Sequence, residues 1–232
     1  MNSRRAIAVL STLALRGILE RYGQQFEQAL GARLEFRFGA TQAILKELES
    51  AARDAWPDLL VLTAEAMQQL KAAGRVSQVQ VLGSSGVGVA VRAGAPKPDI
   101  GSLEAFKHAI VNASSVAHSK VGASGLYFAE LLERLGIAAQ IKKRVVVEKG
   151  PVGLAIAAGE AEIGVQQLCE LAPVAGIDIV GPLPEPIQRV TQFAAGIPAN
   201  AADPKGAAAL LGLLRSESVR AGMPAAGIQP AA

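Results

Sequence analysis

Glycines and hydroxyl residues gather at four points where an apolar, strand-like run gives way to a helical pattern: Ser11-Thr12, Gly39-Ala40-Thr41, Gly122-Ala123-Ser124-Gly125 and Gly150-Pro151-Val152. The chemistry open to such residues at such points is the binding of an anion. The first turn of a helix carries N–H groups without intrahelical partners and a partial positive charge of about half an elementary unit. Glycine lets a negative group come close to that backbone, and a Ser or Thr hydroxyl adds a donor. Each start taken singly has a second reading, because a Ser or Thr before a helix is also the commonest N-cap. Their recurrence at equivalent points of two halves of the chain is what favours the anion.

A second group of residues could move protons. "AHSKVGASG" sets His118 and Lys120 just ahead of the third junction, and "VEKG" sets Glu148 and Lys149 just ahead of the fourth. An imidazole titrates near neutrality and suits a general base, although a lone histidine at a strand end also reads as a surface or capping residue. Lys149 has two equal readings, a counter-charge for a carboxylate or an exposed cation. Cys169 has no histidine beside it to activate the thiol and reads as a small packed residue. The single cysteine rules out an internal disulfide, and no Cys/His cluster has metal-ligand spacing, so no metal is expected. No organic cofactor is expected either: "GSSGVG" lacks the dinucleotide-binding spacing and reads as a closely packed strand.

The elements that must position these residues follow from composition and periodicity. Half of the 232 residues are apolar and only 4% are aromatic, so Ala, Leu, Val and Ile must build the interior. Lys and Arg are scattered and the formal net charge is only +3, which argues against a nucleic-acid surface. No segment approaches the roughly 20 apolar residues of a membrane span. "MNSRRAIAVLSTLAL" imitates an export leader, but Ser11 and Thr12 interrupt its apolar run, so Arg4 and Arg5 read as a solvated terminus and residues 6–10 as a first strand. Leu15, Ile18, Leu19, Tyr22 and Phe26 then form one helical face. Leu34, Phe36 and Phe38 alternate as a half-buried strand, Thr41 is placed to cap a second helix, and "DLLVLT" is a strand buried on both faces, with Trp56 as a packing plug before it. This β-α-β-α-β order implies a doubly wound sheet. After Val81 a glycine-rich strand and a turn lead to a helix capped by Ser102. A second series follows: "SSVAHS", the helix after Ser124, "KKRVVVEKG", a helix around 154–158, "AEIGVQQL" and "IDIVGPL". "RVTQFAAGIP" and a helix opened by Asp203 return to the first lobe. The expected division is 1–82 plus 190–232 as one lobe and 83–189 as the other.

In order and spacing, "STLALRGILERYGQQFE", "FRFGATQAILKELE", "PDLLVLTAEAMQQLKAAGRV", "ASGLYFAELLERLGI" and "GLAIAAGEAEIGVQQ" resemble the molybdate-binding family of type II periplasmic solute-binding proteins, the extracytoplasmic receptors of ABC transporters. The resemblance runs over nearly the whole chain. It implies two doubly wound α/β lobes joined by two crossing strands, with a ligand cleft between them that closes over one dehydrated anion. It also implies binding positions at Ser11, Thr12 and Thr41, at the backbone of Ser124 and Gly125, at Pro151 or Val152, and at Gln167, which stands where the family has a tyrosine. An amide both donates and accepts, so it suits a carboxylic acid that brings a donor of its own better than molybdate or another tetrahedral oxyanion.

"GASGLYFAELLERLGI", "GEAEIGVQQ" and "VGPLP" further resemble a subfamily that includes aconitate isomerase. The expected function is thus that of an ABC-transporter substrate-binding component holding a small anion, an organic carboxylate by preference, with the transporter's membrane component as partner. The alternative is a cofactor-independent isomerase moving a double bond in an unsaturated tricarboxylate, with His118 or Lys149 as candidate bases. No nucleic acid and no direct membrane insertion are expected. The location implied is the periplasm if a leader has been omitted and the cytoplasm if the chain is complete as given.

Overall fold

The structure, a computed structural model, describes residues 5–52 and 55–231. Arg5 is exposed, as a solvated terminus requires, and Arg4 lies outside the described residues. In chain order the elements are β1 (Ile7–Thr12), α1 (Arg16–Leu30), β2 (Leu34–Gly39), α2 (Thr41–Ser50), β3 (Leu59–Thr63), α3 (Ala64–Ala72) and β4 (Val76–Arg92). Next come α4 (Leu103–Asn112), β5 (Val116–Ser119), α5 (Ala123–Arg134), β6 (Arg144–Val147), α6 (Val152–Ala157), β7 (Ile163–Gln167), α7 (Leu168–Leu171) and β8 (Ile177–Pro182). The last are β9 (Val190–Pro198), α8 (Pro204–Leu214), α9 (Glu217–Gly222) and β10 (Gln229–Pro230). Contacts divide the chain into one unit of Met1–Ser84 with Thr191–Ala232 and a second of Ser85–Val190, so β4 runs out of the first unit into the second.

In the first unit the strand order is β2-β1-β3-β9-β4. β1 pairs in parallel with β2 and β3, and β9 runs antiparallel to β3. Alternation along β1 explains the two layers of helix. Leu10 joins Leu60, Leu62, Ile44, Leu48 and Met67 in the core beneath α2 and α3. On the opposite face α1 buries Ile18, Leu19 and Phe26, and its Gly23 lies so near β2 that an added Cβ would sit 3.2 Å from the Phe36 ring. Burying each such large side chain is worth about 1.5–3 kcal/mol. Asp58, fully buried, accepts the N–H of Ala8 at 2.9 Å and of Asp203 at 2.8 Å, tying β1 to the start of α8.

In the second unit the order is β8-β4-β7-β5-β6, with β5 parallel to both β6 and β7 and with β4 antiparallel to β7 and β8. Val87, Val89, Ile163 and Val165 pack with Phe106 and Ile110 of α4 and Phe128, Leu131 and Leu132 of α5. Ala90 and Ala117 pack on the other face with Val152 and Ile156 of α6 and Leu171 of α7. The Gln188 amide clamps the backbone of Val87, accepting its N–H at 2.9 Å and donating to its carbonyl at 3.0 Å. Both units therefore use one plan, a parallel trio with the first strand in the middle and an antiparallel fourth strand beside the third. The plan makes the starts of α1 and α5, of α2 and α6, and of α3 and α7 equivalent.

Three local expectations are corrected. Ala40 is the N-cap of α2 and Thr41 is its first residue, because Gly39 already ends the strand and Ala40 keeps extended backbone angles. The first strand runs on from the expected 6–10 to include Ser11 and Thr12, whose partners on β2 are Phe38 and Gly39. The helix expected around 154–158 begins at Val152, directly after Pro151.

Candidate functional site

The first unit brings Ser11, Thr12 and Thr41 to one end of its sheet, since β1 and β2 are parallel neighbours and Thr12 lies opposite Gly39. Ser11 is fully buried and its hydroxyl donates to the carbonyl of Thr12 at 2.9 Å. Thr12 leads into a short 3-10 turn, Leu13–Leu15, and its side chain caps nothing. At the start of α2 no side chain caps the first turn either. Arg16, at the start of α1, lays its guanidinium 5.3 Å from the centroid of the Phe38 ring, and its Nε donates to Glu20 Oε1 at 2.8 Å. A cation at a helix N-terminus opposes the helix dipole, so Arg16 stands where an anion would relieve it. The sequence reading missed Arg16; the wrong sign of charge beside Ser11-Thr12 was the available signal.

In the second unit Ser124 and Gly125 lie buried in the first turn of α5, whose N-cap Gly122 offers no side-chain cap. A Cβ on Gly125 would lie 1.9 Å from the Ser119 carbonyl oxygen, so only glycine lets this turn rest on the end of β5. Ser119 in turn accepts the Gly122 N–H at 3.0 Å. Pro151 is the N-cap of α6, but the Val152 N–H is already given to Gln166 Oε1 at 2.7 Å. Gln166 Nε2 donates to Glu170 Oε2, and burial pushes the Glu170 carboxyl up to about 7, an effect this hydrogen bond partly opposes. Neither Gln166 nor Glu170 was singled out from the sequence, which gives no sign that two residues four apart straddle a strand end and a helix.

Gln167 is the N-cap of α7 and its Nε2 is buried without a hydrogen-bond partner. His118 is buried, with Nδ1 3.1 Å from the Ser119 carbonyl oxygen, its ring against the edge of Phe128 at 5.7 Å, and Nε2 unpartnered. It is neither a surface nor a capping residue; burial holds its pKa below the ordinary value. Lys149 is exposed on the loop before Gly150, and Lys120 pairs with exposed Glu148 at 2.8 Å, an arrangement worth little in water. Cys169 is packed as expected, its N–H given to Ser85 Oγ at 3.1 Å and its thiol pushed up to about 12 by burial.

The helix starts differ in capping. Thr63 accepts the Ala66 N–H at 3.4 Å, Ser102 that of Ala105 at 3.1 Å, and Asp203 that of Gly206 at 2.8 Å. The starts at Thr12, Ala40, Gly122, Pro151 and Gln167 have no side-chain cap; nor has Ser216 before α9. An uncapped first turn offers its N–H groups to a ligand or to water. Among the described residues no three His, Cys, Asp or Glu side chains group to hold a metal ion, and no helix is long and apolar enough to cross a membrane.

Residues 7–229 match the bacterial extracellular solute-binding protein family. The chain is 36% identical to an aconitate isomerase from a Pseudomonas species over 97% of its own length and 87% of that protein's. Among solved structures it resembles the periplasmic molybdate-binding protein of Azotobacter vinelandii with a TM-score of 0.76 at 19% identity, covering 96% of this chain and 98% of the other. It also resembles a tungstate-binding protein of Desulfovibrio alaskensis with a TM-score of 0.64 at 17% identity, covering 98% and 99%. The fold is the type II periplasmic binding-protein fold.

Proposed function

Because this chain belongs to the bacterial extracellular solute-binding protein family, we propose that it is a receptor for a small organic polycarboxylate of the aconitate type, and that it presents this anion to an ABC transporter. The observation that carries the reading is the set of helix starts left without side-chain caps at the ends of the parallel strands, in each of two units built on one plan. Neutral donors hold one carboxylate without a formal counter-charge. Arg16 supplies a cation for a second carboxylate, a need that a compact tetrahedral oxyanion does not create. The 36% identity to an aconitate isomerase supports a carboxylate over molybdate.

The test is calorimetric titration and thermal shift with trans-aconitate, cis-aconitate, citrate and molybdate. A carboxylate present at a hundred times its Kd stabilises the folded state by about 2.7 kcal/mol. Thr12→Val and Gln167→Leu are each expected to weaken carboxylate binding. Stabilisation by molybdate and by none of the carboxylates overturns the reading.

A second reading is that the protein also isomerises what it binds. The same relative favours it, as does a neutral imidazole with an unpartnered nitrogen close to the start of α5. Following ultraviolet absorbance while the protein stands with trans-aconitate separates the two: conversion to the cis isomer supports an enzyme, and stoichiometric binding without conversion supports the receptor alone.

A further inference from the structure

In the second unit His118 and Gln167 each hold a buried nitrogen with no hydrogen-bond partner. Their side chains are more than nine-tenths buried, at 6% and 4% exposure. Leaving a buried polar atom unpaired is costly, so folded proteins keep few of them. The two residues sit on neighbouring parallel strands. His118 lies opposite Val165, so Gln167, two residues further on, projects from the same face of the sheet and one step nearer the strand ends. That face is the one α5 covers, with Phe128 against His118 and with Ser124 and Gly125 at the helix start. The two nitrogens are complementary. The Ser119 carbonyl takes the Nδ1 proton of His118, which leaves a lone pair on Nε2, while Gln167 Nε2 is a donor.

We propose that His118 and Gln167 form a carboxyl-recognition point, at which His118 takes up a proton as a carboxylate binds. The inference rests on the carboxylate reading above and adds the proton that accompanies the ligand. One carboxylate oxygen accepts from Gln167; the other comes against His118 Nε2, where two lone pairs face each other until a proton enters between them. In the free protein burial keeps the imidazole neutral at pH 7, and the incoming negative charge reverses that balance. The groups packed around His118 supply no substitute. β7 and α6 carry no titratable side chain, and β6 brings Arg144, whose charge lowers the His118 pKa further. On α5, Tyr127 gives its hydroxyl to the Ile187 carbonyl, Glu133 lies 3.9 Å from Arg144, and Glu130 and Arg134 complete the set. On α4, Glu104 and Lys107 pair with each other and His108 is exposed. Lys120 and Glu148 pair in the loops after β5 and β6.

The experiment is calorimetric titration of the whole chain with trans-aconitate between pH 7 and 8.5, in buffers of different ionisation enthalpy. Wild type takes up close to one proton per ligand at pH 7, and its affinity falls as pH rises, approaching tenfold per unit. His118→Gln binds with no uptake from this site and with a flat affinity profile; His118→Asn provides the same reading should the first variant fold poorly. Gln167→Leu weakens binding and leaves the proton number unchanged. Uptake that is absent in wild type, or equal in wild type and His118→Gln, overturns the inference while leaving the receptor intact. No binding of any carboxylate by folded wild type overturns the receptor reading, and the recognition point with it.

Discussion

Glu170→Gln isolates the energetic cost of one carboxylate. Burial raises the Glu170 pKa from 4.5 to about 7 in the folded protein. The folded state therefore keeps a proton that the unfolded chain releases between those values, and stability declines as pH rises through that window, then levels off above it. A rise of that size corresponds to a few kcal/mol. The carboxyl retains some contact with solvent, which trims the figure to about 2 kcal/mol. Glutamine removes the charge and still offers an oxygen to Gln166 Nε2. Melts of both proteins at pH 4, 5, 6, 7 and 8, followed by circular dichroism, should nearly coincide at pH 4. They should separate to about 4–8 °C at pH 8, with the variant more stable. Every other titrating group cancels in the difference. Parallel melting curves across the whole range would refute the reasoning, because they would mean that Glu170 ionises in the fold as readily as in water.

Gly125→Ala places a Cβ against the Ser119 carbonyl oxygen, a backbone atom that cannot yield cheaply. Overpacking of this kind costs about 1–3 kcal/mol, and it also lifts the α5 start off β5. Urea unfolding should report the loss of stability and titration with trans-aconitate a loss of affinity; full affinity in the variant would remove α5 from the site. Arg16→Ala should weaken binding of a tricarboxylate about five- to tenfold at low salt, with the deficit shrinking as ionic strength rises. A variant that binds as wild type does at 10 mM salt would show that Arg16 serves only Phe38 and Glu20.

The sequence carried the α/β architecture because the pattern is redundant. "LLVLT" is buried along its length, "LEFRF" alternates, and the helical face of Ile18, Leu19 and Phe26 repeats at three and four, so each element supports the others. The strand-to-helix junctions were legible for the same reason, since Gly122 to Gly125 and Gly39 to Thr41 break the apolar runs on either side. Side-chain use was not legible. Thr41 reads as a cap from its type alone, yet one peptide unit of displacement makes Ala40 the cap and leaves the threonine hydroxyl uncommitted. Val152 reads as an open donor, but Gln166, fourteen residues on, takes its N–H. Arg16 against Phe38, and His118 against Phe128, depend on strand register and helix placement that no local spacing encodes.

The equivalence of the two units makes their differences informative. The third strand of each trio feeds a helix, α3 in one and α7 in the other, and the residue at the junction is Thr63 in the first and Gln167 in the second. Thr63 closes its helix start with its own hydroxyl. Gln167 closes nothing and leaves a buried amide nitrogen idle. The middle strand differs in the same sense: it ends in Ser11 and Thr12 in one unit, where the Ser11 hydroxyl is spent on the chain itself, and in His118 and Ser119 in the other, where an imidazole nitrogen is idle. Charge divides the opposite way, with the unpaired part of the Arg16 guanidinium in the first unit and only the mutually paired Lys120 and Glu148 and exposed Lys149 near the junctions of the second. The second unit thus offers uncharged, unspent nitrogens where the first offers a cation.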